Sequence, residues 1–422
     1  MTYLVLDVET TIRNNGNPYD PFNRLMSVQL FPEGAEHGVI YDIEHGLQPF
    51  AKHLETIRRA VESADYLVGF NIKFDVAWLR RYIPGIRISR VWDLQLWEFL
   101  CSGQTMRMPA LADVLEMRGM ESKGDLASEY WDKGIDTPMI PWETLATYGL
   151  QDIEVEHQLF KYQREATPPD LMMLFKLQCE DLLILQEMEQ NGLPYSIREA
   201  EEQAAQTAAA IESIDVDLRH IVSARTGGCD HLVNLGSSQH LSALLYGGTI
   251  TYEGTEEVEK PRKDGSIRKY TRKCDAYLEL KGFFRPDKKE ELVRTRNLSD
   301  EDLHLVNKER QAKGQPLLFR YYSTGESVIK RLGSQRASKM ATQFVGLLQE
   351  RAKLAKLQST YYQGMIDLMK SFGWDRDGII HSTLNQTVAQ TGRLSSSNPN
   401  QQNMAKDVKV LVKSRFNGEL LA

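Results

Sequence analysis

The run YLVLDVETT, Tyr3 to Thr11, sets two carboxylates into an apolar stretch, one residue apart. Successive side chains on a strand point to opposite faces, so Asp7 and Glu9 share a face. Like charges held that close repel unless a cation sits between them, and a hard metal ion with oxygen ligands is the usual solution. A strand end frayed into solvent is the other reading of a lone D-x-E. More carboxylates follow. NIKFD places Asn71 and Asp75 just past the apolar run YLVGF, where open α/β sheets build their sites. YGLQD sets Tyr148 and Asp152 four apart, on one face of a helix. Taken alone, Asp75 fits a helix cap and Asp152 a solvated helix residue.

The elements that must position these groups alternate short strand and helix patterns up to about Tyr162, as in an α/β layer structure. YLVLDVE reads as a central strand, MSVQLF as its neighbour and YLVGF as a third. From about Pro168 the pattern turns helical. LMMLFKLQCEDLLILQEMEQNG stops at Asn191-Gly192, and Ser196 with Glu199 three residues on predicts a capping box and a new helix. Between about Gly247 and Arg320 helical periodicity fades and cations crowd among aromatics, Arg268, Lys269, Arg272 and Lys273 included. That stretch fits a grip on a phosphate backbone with base stacking, and equally a solvated hairpin insertion. A long helix is expected from after Gly333 to near Gly373, and extended, turn-rich sequence from Gly378.

The chain of 422 residues has room for two or three domains, and its 41% hydrophobic and 26% charged residues are those of an ordinary soluble protein. No apolar run reaches membrane-span length and the amino terminus enters a strand pattern directly, so the expected location is cytoplasmic, with no membrane. The four cysteines, Cys101, Cys179, Cys229 and Cys274, form no C-x-x-C pair, which predicts reduced thiols and neither disulfides nor a zinc cluster; Cys229 and His231 lack a second ligand pair. A net charge of -7 argues against a chain that coats DNA uniformly.

D-x-E, N-x-x-F-D and Y-x-x-x-D, in this order and at these separations, resemble the three motifs of the DEDD superfamily of 3′-to-5′ exonucleases, in its tyrosine-bearing branch. The resemblance implies a ribonuclease H-like α/β domain with a mixed sheet, acting on single-stranded 3′ ends of DNA. Phosphodiester hydrolysis needs a hydroxide at neutral pH and relief of charge on the leaving 3′ oxygen, and two divalent ions about 4 Å apart supply both. Magnesium or manganese is expected, held by Asp7, Glu9, Asp75 and Asp152. By the resemblance, Asp7 bridges both ions, Glu9 and Asp152 complete one site, and Asp75 acts mainly through water on the other. Tyr148 orients the attacking water, and Thr10 and Asn71 help seat the terminal nucleotide. Asp93, in VWDLQLWEFL, stands where the family often has another aspartate, and a helix cap accounts for it as well.

Near the carboxyl end, TVAQTGRLSSSNPNQQN, Thr387 to Asn403, closely resembles a block of family A DNA polymerases, and QERAKLAKLQSTYYQG, NLGSSQHLSALLYGG and YYSTGESVIKRL resemble that family's thumb and the helix leading into its palm. The implied organisation is an exonuclease domain at 1–165, a mostly α-helical thumb at 166–372 with a basic insertion at about 247–320, and the first strands of a palm at 373–422. Arg393 is expected to reach the minor groove near a primer terminus, and Asn400 and Gln402 to touch the primer-template duplex. Gln401 and Met404-Ala405 depart from the family pattern. VKVLVKSRF reads as a strand, and KSRFNGELLA resembles the segment that in the family runs into D-Y-S-Q-x-E; the sequence stops before it, with no second palm carboxylate pair and no fingers helix. The expectation is a proofreading exonuclease forming the amino-terminal subunit of a split, phage-type polymerase, with a second polypeptide carrying the rest of palm and fingers and a processivity factor as a further candidate partner. An autonomous DNA exonuclease and a DNA-binding scaffold with an inactive exonuclease site are the alternatives.

Overall fold

The computed structural model describes residues 2–46, 51–120, 126–261, 267–285, 299–319 and 321–414. The chain divides into two compact units, one formed by 1–201 with 361–422 and one by 202–360, so the limits run across the expected regions 1–165, 166–372 and 373–422.

In the first unit, β1 (Tyr3–Thr10), β2 (Leu25–Pro32), β3 (Val39–Asp42), β4 (Tyr66–Gly69) and β5 (Val91–Asp93) form one sheet in the order β3-β2-β1-β4-β5. The β1–β2 and β2–β3 pairs are antiparallel, while β1–β4 and β4–β5 are parallel. Two helices carry the chain along its parallel half: α1 (Ala51–Ser63) lies before β4 and α2 (Lys73–Tyr82) before β5. After β5 come α3 (Leu94–Cys101), α4 (Leu111–Met117), α5 (Ser128–Asp132), α6 (Trp142–Ala166) and α7 (Pro169–Asn191). This is the expected α/β exonuclease-type mixed sheet, with the three anticipated strands at its centre. β1 is buried on both faces: Leu4, Val5 and Leu6 are enclosed, as suits a strand with neighbours on either side and helices above and below. Packing α6 against β1 and β2 fixes the site's second wall. There Tyr3 stacks on Phe160 with centroids 4.8 Å apart, and its hydroxyl meets His157 Nε2 at 2.8 Å.

α7 ends where expected. Gly192 has φ 58°, and a Cβ there would come within 2.6 Å of Ile379 Cγ2 and of the Ile380 carbonyl, so the turn needs glycine. After β6 (Leu193–Pro194), α8 (Ile197–Thr226) starts with the Glu199 amide donating to Ser196 Oγ at 3.4 Å. The second unit holds the rest of α8, α9 (Ser238–Tyr246), β7 (Gly248–Pro261), β8 (Ile267–Leu280), α10 (Asp300–Ala312), α11 (Glu326–Gly333) and α12 (Lys339–Lys356). Its core gathers Leu218, Val222, Leu245, Ile250, Phe344 and Val345. The basic stretch is a hairpin, with β7 and β8 paired antiparallel from Gly248↔Leu280 to Pro261↔Ile267. Its parts at 262–266 and 286–298 lie outside the described residues.

The single helix expected after Gly333 is broken. A π-helical turn at Leu357–Tyr362 separates α12 from α13 (Gln363–Phe372), which closes on left-handed Gly373. In the first unit β9 (Ile379–Ile380) then pairs with β6, and β10 (Thr383–Asn385) with β11 (Ser395–Ser397). VKVLVKSRF does not form the expected strand where it is described. α14 (Lys406–Lys409) is a helical turn that buries Val408 and Leu411, three apart, and leaves Val410 65% exposed; strand alternation would have buried 408, 410 and 412 together. Val412 makes one antiparallel bridge to Tyr195, and 415–422 lie outside the described residues. Among the described residues no helix is long and apolar enough to cross a membrane.

His157 is buried, and desolvation with Lys161 and Arg164 nearby pushes its pKa down to about 4. The unfolded chain therefore binds a proton that the folded chain refuses between about pH 6.5 and about 4, and stability falls as pH drops through that window. Thermal melts across it should show a smaller acid loss in His157→Gln than in wild type; parallel curves would clear the ring of this role.

Candidate metal centre

The face of β1 that carries Asp7 and Glu9 lies beneath α6, one turn of which presents Tyr148 and Asp152. Ligand oxygens of Asp7, Glu9 and Asp152 all lie within 4.8 Å of one another. The tyrosine hydroxyl donates to Asp152, one turn along the same helix. Burial, with the carboxylates of Asp152, Glu9 and Asp7 facing it, pushes the phenol pKa far above 10, so Tyr148 stays protonated at neutral pH. Its ring is held edge-on by Trp131, centroids 5.3 Å apart, in a cluster with Met26, Ala127, Ile140 and Leu145.

Asp75 is not one of the three. It lies in the first turn of α2, fully enclosed, where the Val8 amide donates to it. Burial first, and then the negative charge of Asp7, raise its pKa well above the ordinary carboxylate range. Asp93 has the cap role: it is the N-cap of α3, accepting from the Leu96 amide at 2.8 Å, and burial pushes its pKa up to about 6.

The donor set fits a metal. Three hard carboxylates this close repel, and a divalent cation with a preference for oxygen both cancels the repulsion and uses every donor. Zinc-type ligands take no part, since none of the three is histidine or cysteine.

Two polar residues alongside the strand carboxylates were not singled out from the sequence. In β2, Gln29 is the cross-strand partner of Asp7 and Ser27 that of Glu9, and both are wholly buried. The signal was available in MSVQLF, where Ser27 and Gln29 alternate with apolar residues in a strand buried on both faces.

A cleft of about 310 Å³ opens in the first unit, lined by amides including Asn14, Asn15, Asn71, Asn385, Gln386 and Asn398 together with Lys73, Asp93 and Glu189; Asp7, Glu9 and Asp152 are not part of its lining. Asn71 is exposed at its edge with φ 56°, and its carbonyl accepts from Phe74 as α2 begins. Thr10 Oγ1 donates to the Thr11 carbonyl at 3.1 Å, and Gly16 packs so closely on it that a Cβ would lie 2.4 Å away. One wall of the cleft is tied together by Lys73, which pairs with buried Glu189 at 2.6 Å and donates to the Leu384 carbonyl, while Glu189 accepts from the Leu384 amide at 2.6 Å.

The remaining expected contacts stand apart from this cluster. Arg393 is exposed after Gly392. Asn400 caps a short 3₁₀ turn by accepting from the Gln402 amide at 3.1 Å, and Gln402 Nε2 donates to the Leu394 carbonyl at 3.0 Å, so both side chains shape the local turn. On the hairpin, Lys269 pairs with Glu259 and Lys273 with Glu253, each at 2.8 Å, and Arg272 pairs with Glu256. Three of the four expected DNA-binding cations thus pair with glutamates of the facing strand, in exposed positions.

Residues 1–166 match the model of the 3′-5′ exonuclease domain, and residues 298–417 that of DNA polymerase family A. The chain is thus similar to the 3′-5′ exonuclease domain in its first part and to DNA polymerase family A toward its carboxyl end. Its curated relatives include DNA polymerase I of Bacillus caldotenax, 35% identical over 83 residues (20% of this chain, 8% of the relative), and DNA polymerase I of Chloroflexus aurantiacus, 50% identical over 52 residues (12% and 5%). The polymerase domain of Pol1 from M. smegmatis, solved in complex with DNA primer-template and dNTP, shares the fold with a TM-score of 0.58 at 16% identity, covering 95% of this chain. This chain spans 52% of that structure, and the aligned segments are less than a tenth of those two relatives.

The charge cluster makes a test that needs no substrate. Metal-free Asp7→Ala should melt higher than metal-free wild type, because it relieves like-charge repulsion. Saturating Mn²⁺ should raise the wild-type melting temperature, by about 2.7 kcal/mol of stability at a hundred times Kd, and leave the variant unmoved. Equal gains in both would show that the ion binds elsewhere.

Proposed function

We propose that this chain is a divalent-metal-dependent 3′-to-5′ DNA exonuclease that removes unpaired nucleotides, the proofreading activity of a family A polymerase. The observation that supports it most is the convergence of Asp7, Glu9 and Asp152 within 4.8 Å, with the Tyr148 hydroxyl bonded to one of them. Magnesium or manganese held there, as a pair with Asp75 on the second ion, would supply hydroxide at neutral pH and take up charge on the leaving 3′ oxygen.

The chain's own residues do the rest. Tyr148 cannot act as a base, since its phenol is held protonated; it donates a hydrogen bond and orients a water against the scissile phosphate. Asp75 is enclosed, and burial followed by the charge of Asp7 raises its pKa, a shift that a cation there would offset; it is assigned to the second ion, acting through water. The amide-lined cleft that includes Asn71 suits the sugar and base edges of a single strand, and Asn71 and Thr10 are the residues assigned to the terminal nucleotide. Arg393, exposed, is the proposed contact to duplex primer-template; the hairpin cations, already ion-paired, contribute less.

With Mg²⁺ or Mn²⁺, the purified chain should shorten single-stranded and mismatched 3′ ends faster than paired ones, because an unpaired end costs less to bring into the site. Asp7→Ala should abolish hydrolysis, and Tyr148→Phe should lose roughly 10- to 100-fold while still binding the ions. A wild-type chain that shortens no 3′ end with either metal would sink the assignment. In a separate binding assay, Arg393→Ala should weaken capture of primer-template duplex and leave hydrolysis of single strands intact; unchanged duplex binding would remove Arg393 from the interface.

A further inference from the structure

We infer that Gln29 is a positioning residue that sets the spacing between the strand bearing Asp7 and Glu9 and the helix bearing Tyr148 and Asp152. The inference rests on the hydrolytic reading of that cluster. Apart from Ser27 and Gln29, the buried part of β2 is apolar, with Leu25, Met26, Val28, Leu30 and Phe31 enclosed, so folding alone gives no reason for an amide at its centre. Gln29 nonetheless lies directly across the ladder from Asp7, and its Nε2 donates at 2.9 Å to Ser27 Oγ, across from Glu9. The two polar side chains lie alongside the two strand carboxylates, residue for residue, on the same face of the sheet.

From the other side, α6 rests on the same amide. A Cβ built on Gly149 would lie 2.3 Å from Gln29 Nε2, 2.9 Å from Cδ and 3.1 Å from Cγ, so helix and glutamine already touch with no room to spare. Gly149 follows Tyr148 directly and precedes Asp152 by less than one turn. The width of the Gln29 side chain is therefore the distance at which Asp152 approaches Asp7 and Glu9. Its Oε1 is buried with no hydrogen-bond partner among the described residues, a destabilising feature in a packed core. A longer, thinner or displaced side chain would let the helix settle at another height, changing how three oxygens share an ion without removing any of them.

The test uses Gln29→Met, an unbranched replacement of similar length without the amide, and Gly149→Ala, which pushes on the same contact from the helix. Isothermal titration with Mn²⁺, thermal melting, and steady-state kinetics on single-stranded DNA are measured for each. Gln29→Met should melt within a few degrees of wild type, bind Mn²⁺ about tenfold more weakly and lose about tenfold in kcat, with KM for DNA changed less than about twofold. Gly149→Ala should show the same loss of metal affinity and turnover. A role in packing alone would lower the melting temperature and leave metal affinity and kcat of the folded protein unchanged, and that result overturns the inference. If Gln29→Met does not fold, Gly149→Ala decides by the same criteria. A wild-type chain that binds Mn²⁺ and cleaves, beside variants that do both equally well, defeats this inference and leaves the hydrolytic reading standing; a wild type that does neither defeats both.

Discussion

Three carboxylates with oxygens inside 4.8 Å repel one another, and the first unit is built so that they cannot move apart. Two of them stand on β1, whose backbone is paired with β2 at both positions, so the strand that carries them cannot shift aside without breaking that ladder. The third stands on α6, which is fixed by its own packing against β1 and β2 and by the buried meeting of His157 with Tyr3. Hydrophobic burial along Leu4, Val5 and Leu6 holds β1 at the centre of the sheet against the repulsion at its end. The strain is electrostatic and local, and a cation is the group that removes it.

The same crowding sorts the neighbouring titratable groups into roles. Tyr148, surrounded by carboxylates, is held as a donor. Asp75, enclosed on α2 and near Asp7, has its pKa raised by burial and then by that charge, a shift that nearby positive charge would offset. Asp93 has equal burial but several backbone donors, which keeps its pKa near 6 and its role structural. Aspartates of identical chemistry thus divide between metal ligation and helix capping by the company they keep, backbone amides in one case and other carboxylates in the other.

Elsewhere, polar side chains that looked available to nucleic acid are used within the fold. Cross-strand glutamates take up Lys269, Arg272 and Lys273, and a hairpin of this length, with little core of its own, gains its register from such pairs. Asn400 and Gln402 close the turn after β11. Lys73 and Glu189 tie α2 and α7 to β10, so the helix carrying Asp75 and the strand that precedes the polymerase-like block share one buried ion pair. That pair lines the amide-rich cleft together with Asn71 and Asn385.

Much of this was legible in the residue order because it depends on backbone period alone. The two-residue repeat of a strand put Asp7 and Glu9 on one face, the i, i+4 spacing put Tyr148 beside Asp152, Asn191-Gly192 ended α7, and Ser196 opened α8. Those rules act within a few residues and need no partner. What lay beyond them depended on contacts between segments far apart in the chain. No local pattern told that Asp75 would be fully enclosed beside Asp7 or that hairpin cations would meet their own glutamates. Val408 to Val412 alternates like a strand yet forms a helical turn, because burying Val408 and Leu411 outweighs the preference of a short apolar run. The sequence by itself determined which groups could do the chemistry and which way each faces on its own element; only the tertiary structure decided their distances and burial, since both are set by long-range packing.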